Sequence, residues 1–129
     1  MKTFKDRLRA GIEVEERVLK LIKVKYPCST RIEGQFPDYD IWVPELHKSV
    51  EVKLDSKSIE TNNVCIKCLD LSRTKADWWV IYNIKRYMWS TPELLKQCIK
   101  INKIDQSVIN GNRVYLIPMH ILEGYLILI

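Results

Sequence analysis

The sequence predicts one α/β domain, residues 1–129, in which an N-terminal helix leads into a sheet flanked by further helices. Three observations predict it. Apolar residues recur at helical spacing from about Lys5 to Lys25, polar–apolar alternations flank a turn between Phe36 and Asp55, and an aromatic, β-branched run occupies 78–83. A chain of 129 residues that is 47% hydrophobic can bury a core of its own, and it contains no repeat, low-complexity stretch or linker.

The first element is KDRLRAGIEVEERVLKLIKVK, with Ile12, Val18, Leu19 and Ile22 as its inward stripe. Glu15 falls on the same side as that stripe, where a carboxylate is costly unless paired, hydrogen-bonded or metal-bound. It is therefore either a functional acid or a border residue paired with Arg7 or Arg17. Glu13 and Glu16 turn outward, Glu16 towards Lys20 and Lys23.

The second element is FPDYDIWVPELHKSVEVKLD, residues 36–55. Side chains alternate between the two faces of a strand, so Asp38, Asp40 and Trp42 share one face and Tyr39, Ile41 and Val43 the other. On the return strand Glu51, Lys53 and Asp55 share a face opposite Val50, Val52 and Leu54. Folded as a hairpin about Glu45-Leu46-His47, the apolar sides meet in the core and the carboxylates and Lys53 converge on the other side. An ordinary half-exposed hairpin shows the same alternation. Three acids and a lysine are a different matter, because acids held together repel and a hard divalent cation offsets that repulsion directly. Register places Asp40 about opposite Val52, between Glu51 and Lys53. His47 falls in the turn as a solvated residue.

These residues resemble the PD-(D/E)XK nucleases. The match is Pro37-Asp38, then Asp40, then Glu51-x-Lys53, preceded by a helix carrying Glu15. The Gly11-x-x-x-Glu15-x-x-Val18 run is similar to the first helix of archaeal Holliday junction resolvases, a branch of the same superfamily. The resemblance implies a restriction-endonuclease-like core with a mixed β-sheet. It also implies Mg²⁺, for which Mn²⁺ can substitute, held by Asp40 and Glu51 with Glu15 as a third ligand, and Lys53 as the catalytic cation. Asp38, which follows the proline, stays open as an outer or alternative ligand to Asp40.

Further along, Asn63 to Leu69 reads as a third strand, Asp70 to Asp77 as a loop with a short helical turn, and Trp78 to Asn83 as a strong strand. The run Thr74-Lys75-Ala76-Asp77-Trp78-Trp79 is similar to a segment of small phage and bacterial nucleases of the superfamily. This makes Arg73 and Lys75 candidates for nucleic-acid phosphate contacts, with a solvated loop as the alternative. Thr91-Pro92-Glu93 opens a helix whose inward residues are Leu94, Leu95, Cys98 and Ile99. Asn110-Gly111-Asn112 is a turn leading into Val114 to Pro118. The apolar tail from Tyr125 to Ile129 is too short to span a membrane and reads as a buried strand or a dimer contact.

The formal net charge of +5 suits an enzyme that attracts a polyanion towards an acidic site. With only His47 and His120, histidine-based catalysis has little to draw on, and no Ser–His or Cys–His arrangement stands out. Cys28, Cys65, Cys68 and Cys98 are scattered and no secretory or transmembrane segment is present, which points to the cytoplasm. VCIKCL reads as a strand, so Cys65 and Cys68 point to opposite faces and are expected to be buried free thiols rather than a zinc pair. The expected activity is Mg²⁺-dependent endonucleolytic hydrolysis of DNA, directed by structure or weakly by sequence, with a homodimer as one arrangement for cutting both strands. No small-molecule organic cofactor and no membrane partner are expected. The alternatives are a binding domain of the same fold that cleaves nothing, a protein-interaction domain with a coincidental hairpin, and RNA as substrate.

Overall fold

A computed structural model describes residues 3–34 and 38–128. The first helix, α1 (Phe4–Lys25), starts where Thr3 accepts the Asp6 N–H and Asp6 returns a bond to the Thr3 N–H, a reciprocal cap. Val14, Val18 and Ile22 are its buried residues. A sheet of five strands follows in the order β1 (Thr30–Arg31), β2 (Ile41–Val43), β3 (Lys48–Leu54), β5 (Trp78–Tyr82), β6 (Tyr87–Ser90). The β2–β3 hairpin turns at residues 44–47, where His47 takes a positive φ and sets its ring edge-on to Trp42.

β3 and β5 are parallel and the other neighbours antiparallel, so the sheet is mixed. A parallel pair needs a long crossover. Here it carries α2 (Ser58–Thr61), β4 (Asn63–Lys67) and α3 (Cys68–Arg73). The start of the pair is clasped by Asp77, whose carboxylate accepts both the N–H and the hydroxyl of Ser49 while its own N–H bonds back to Ser49. β4 leaves the main sheet and joins β8 (Asn112–Pro118) and β7 (Gln106–Ile109) in a second sheet ordered β4-β8-β7. α4 (Pro92–Ile101) starts on the Thr91 hydroxyl, and α5 (Met119–Leu122) leads into a short 3-10 turn.

Two cores result. One lies between α1 and the face carrying Ile41, Val43, Val50 and Val80. The other joins Trp79, Ile81 and Met88 of the main sheet to Val64, Ile66 and Ile117 of the second sheet, and to Leu71, Leu95 and Leu122 of the helices.

Several expectations change here. The third strand ends at Lys67, because Cys68 begins α3, so Cys65 and Cys68 do not share a strand. Of the four thiols only Cys98 is buried; Cys28 and Cys65 are exposed. The tail is not a buried strand. Tyr125 and Leu126 pack on the second core and the Ile127 N–H reaches the Trp89 carbonyl, but Leu128 is fully exposed. β1, β6 and β7 had no alternation long enough to announce them. Pro37 lies outside the described residues. Among those described, no helix is long and apolar enough to cross a membrane.

Leu95 is completely buried in the second core. Leu95→Ala is expected to lower unfolding free energy by about 2–5 kcal/mol, read from urea denaturation, whereas Leu128→Ala leaves the midpoint unchanged.

Candidate active site

The site begins at the residue before β2. The Asp40 N–H donates to the Val50 carbonyl at 2.9 Å, and the Asp40 carbonyl accepts from the Ile32 N–H at 2.8 Å. Its carboxylate then reaches across to β3 and accepts the Val52 N–H at 2.7 Å. Three contacts thus fix an acid beside the peptide that joins Glu51 to its neighbours.

Glu51 and Lys53 share one face of β3, and their side chains meet at 3.3 Å. Register with β5 puts Glu51 beside Trp79 and Lys53 beside Ile81, both members of the second core. β3 is an interior strand of the sheet, and its acid and lysine emerge at the margin of the second core. Lys53 Nζ lies 2.9 Å from Asp70 of α3 and 5.3 Å above the ring of Trp79. That ring is held in turn by its indole N–H, which donates to the Thr74 hydroxyl at 3.0 Å.

A groove of about 310 Å³ opens over this floor, lined by Asp38, Glu51, Lys53, Asp70 and Arg73 among others. Arg73, at the end of α3, is exposed on its rim. Lys75 is exposed too, its ammonium 3.9 Å from Asp38. Asp38 is mostly solvated, in contrast to Asp40. Asp55 does not join the cluster. Its carboxylate accepts the Ser58 and Cys65 N–H groups and organises the start of the crossover.

Glu15 lies half-buried on the inward side of α1. It pairs with Arg31 of β1 at 3.4 Å, not with Arg7 or Arg17. Glu16 also turns to Arg31, at 3.5 Å, rather than to Lys20 and Lys23. Neither Arg31 nor Asp70 was singled out from the sequence. Each meets its partner across 16 or 17 residues, and neither lies on a periodic stripe or in a recognisable motif.

The electrostatics follow from partial burial. Desolvation pushes the Asp40 carboxyl above its ordinary range, against the Val52 N–H, Lys53 and Arg31. Desolvation likewise raises Glu51, with Lys53 opposing and the charge of Asp40 adding to the rise. Glu15 is raised by burial and then by Asp40, with Arg31 opposing, so its charge and that of Asp40 feel each other. For Lys53 burial alone acts downward, but Glu51 and Asp70 overcome it and hold the ammonium above its ordinary pKa. Among the described residues no three His, Cys, Asp or Glu side chains stand close enough together to hold a metal ion. What the floor offers is a pair of acids with raised proton affinity beside a firmly charged lysine.

No protein-family model matches the chain, and no curated protein matches it. Among solved structures, a nuclease from a fusselovirus is similar, with a TM-score of 0.54 at 13% identity over 94% of this chain and 87% of that one. At that identity the likeness is one of fold: a mixed α/β architecture with an N-terminal helix and a mixed sheet.

The raised pKa of Asp40 has a direct consequence for stability. Relative to its ordinary value of 3.8, the folded state favours the protonated form, so the stability this group contributes is full at low pH and is lost as pH rises through the folded pKa. Asp40→Asn, which can still accept the Val52 N–H, is expected to raise Tm near neutral pH. The gain should shrink towards zero at about pH 4, a trend measurable by thermal melts across that range.

Proposed function

We propose that this chain is a metal-dependent nuclease of the PD-(D/E)XK type that hydrolyses DNA phosphodiester bonds. The observation that carries the reading is Glu51 and Lys53 on β3, lining a groove rimmed by Arg73, with the Asp40 carboxylate bonded to the Val52 N–H between them. The likeness in fold to a viral nuclease supports it.

The donor set fits Mg²⁺, with Mn²⁺ as a substitute. Asp40 and Glu51 are two oxygen donors whose own environment disfavours an uncompensated negative charge. Mg²⁺ takes only one or two carboxylates and keeps several waters, so a closed cage of three acids is not required. Asp40 and Glu51 would hold it, Glu15 would complete the acidic wall from α1, and Asp38 at the rim is the alternative to Asp40. When bound, the ion lowers the pKa of a water and stabilises charge on the phosphate oxygens.

The remaining work belongs to the chain. Lys53, kept charged by its acidic neighbours, donates to the phosphate oxygen that gains charge or orients the attacking water. Arg73 on the rim and Lys75 beside Asp38 bind the phosphate backbone, giving affinity without reading bases. With few side chains left over to reach base edges, the groove suits cutting directed by DNA structure or weakly by sequence.

The test is cleavage of supercoiled plasmid, single strands and a four-way junction with Mg²⁺, Mn²⁺ or EDTA. Wild type is expected to cut only with metal, and Glu51→Ala and Lys53→Ala to lose at least about 10²-fold in rate. Binding without cleavage in every metal would replace the enzyme with a binding domain of the same fold. Arg73→Ala should weaken DNA binding across sequences and lower the slope of log affinity against log salt by about 1, measured by titration at several salt concentrations.

A further inference from the structure

Lys53 has two acidic neighbours, and the reaction proposed above uses only Glu51. We propose that Asp70 is the positioning residue for Lys53, its carboxylate holding the ammonium beside Glu51, where the groove meets the pocket that adjoins it. This rests on the nuclease reading, since it assigns a role within that reaction.

The geometry carries it. Glu51 approaches the ammonium at 3.3 Å and Asp70 at 2.9 Å, so Asp70 makes the shorter, charge-assisted bond. Glu51 is also the acid assigned to the metal, and a carboxylate oxygen committed there is not free to anchor Lys53. Asp70 has no such second duty. Its place is fixed by the next residue, Leu71, which is 3% exposed in the second core and pins the start of α3.

Lys53 needs an anchor because it borders two spaces. Besides the groove, it lines a pocket of about 230 Å³ between the sheets, floored by Ile66, Trp79 and Ile81. Asp70 lines both spaces as well. A flexible four-carbon side chain without that partner has room to turn into the pocket, away from the phosphate. The Trp79 ring beneath it, locked through Thr74, limits movement in the remaining direction.

A merely structural role is distinguishable. Asp70 is 38% exposed on its side chain, and ion pairs so placed contribute little to stability. If Asp70 were only a surface acid, its negative charge would repel DNA and its removal would help binding. The experiment is steady-state cleavage of whichever DNA the wild type cuts, with Asp70→Asn, Asp70→Glu, and Asp70→Asn in a Lys53→Ala background. The expected result is a kcat about 10-fold lower or worse for Asp70→Asn, with KM unchanged or reduced. Asp70→Glu should recover part of the loss, and the Lys53→Ala background should show no further loss. An unchanged or higher kcat overturns the proposal, as does an equal loss when Lys53 is already absent.

A second readout does not depend on activity. The Lys53 side-chain ammonium should give a ¹H–¹⁵N signal in slow exchange with water, lost in Asp70→Asn. A signal that persists equally in the variant overturns the anchoring. A wild type that cuts nothing overturns the nuclease reading instead, and the ammonium signal still decides whether Asp70 is what holds Lys53.

Discussion

The central constraint is the position of β3, which runs through the interior of the main sheet with apolar packing on both sides. Val50 faces α1, while the opposite face leads through Trp79 and Ile81 into the second core. A glutamate and a lysine on that second face cannot be ordinary solvated groups. They are drawn partly out of water, and their partners are chosen under that pressure. Partial desolvation strengthens every charge interaction at the floor and makes each unpaired charge more expensive. β3 itself, the helix α3 and the strand β1 each supply something in response: the Val52 N–H for Asp40, Asp70 for Lys53, Arg31 for Glu15.

The two ends of the site therefore differ in character. At the Lys53 end, opposite charges stand within hydrogen-bond range and the ammonium is secured. At the Asp40 end, acids feel other acids, and the Val52 N–H, Lys53 and Arg31 offset the cost of burial only in part. A floor whose charges are paired at one end and crowded with acids at the other is electrostatically asymmetric. Strain of this kind is typical of places where structure has yielded stability to chemistry.

Much of this was legible in the chain because it is local. The α1 stripe, the hairpin turn, the cap at Thr91 and the Asn110-Gly111 turn all depend on residues a few positions apart. In the last of these, both central residues take the positive φ that such a two-residue hairpin demands. The alternation in residues 38–55 was enough to bring Asp40 towards Glu51 and Lys53, but counting through the turn missed the register: Ile41 pairs with Val50, the Asp40 N–H bonds to the Val50 carbonyl, and only the Asp40 side chain reaches Val52. What counting could not supply was the company of each residue. The departure of β4 into a second sheet depends on β8, some fifty positions later, and that departure is what covers the face carrying Glu51 and Lys53. Arg31 and Asp70 enter for the same reason, since an ion pair between distant segments leaves no periodic trace in either.

The clasp between Asp77 and Ser49 bears on more than the ends of two strands. Side chains on a strand change sides at every residue, so slippage of β3 by one position would turn Glu51 and Lys53 into the packing beneath α1 and bring Val50 and Val52 out over the groove. Burying that acid and lysine beneath α1, where Val50 is fully buried, already disfavours the slipped frame. Ser49 and Asp77 reinforce that choice, because the hydrogen bonds between them form in only one alignment. The serine and aspartate thus act as a phase marker for the strand: chemically idle themselves, they help hold its acid and its lysine on one side of the sheet.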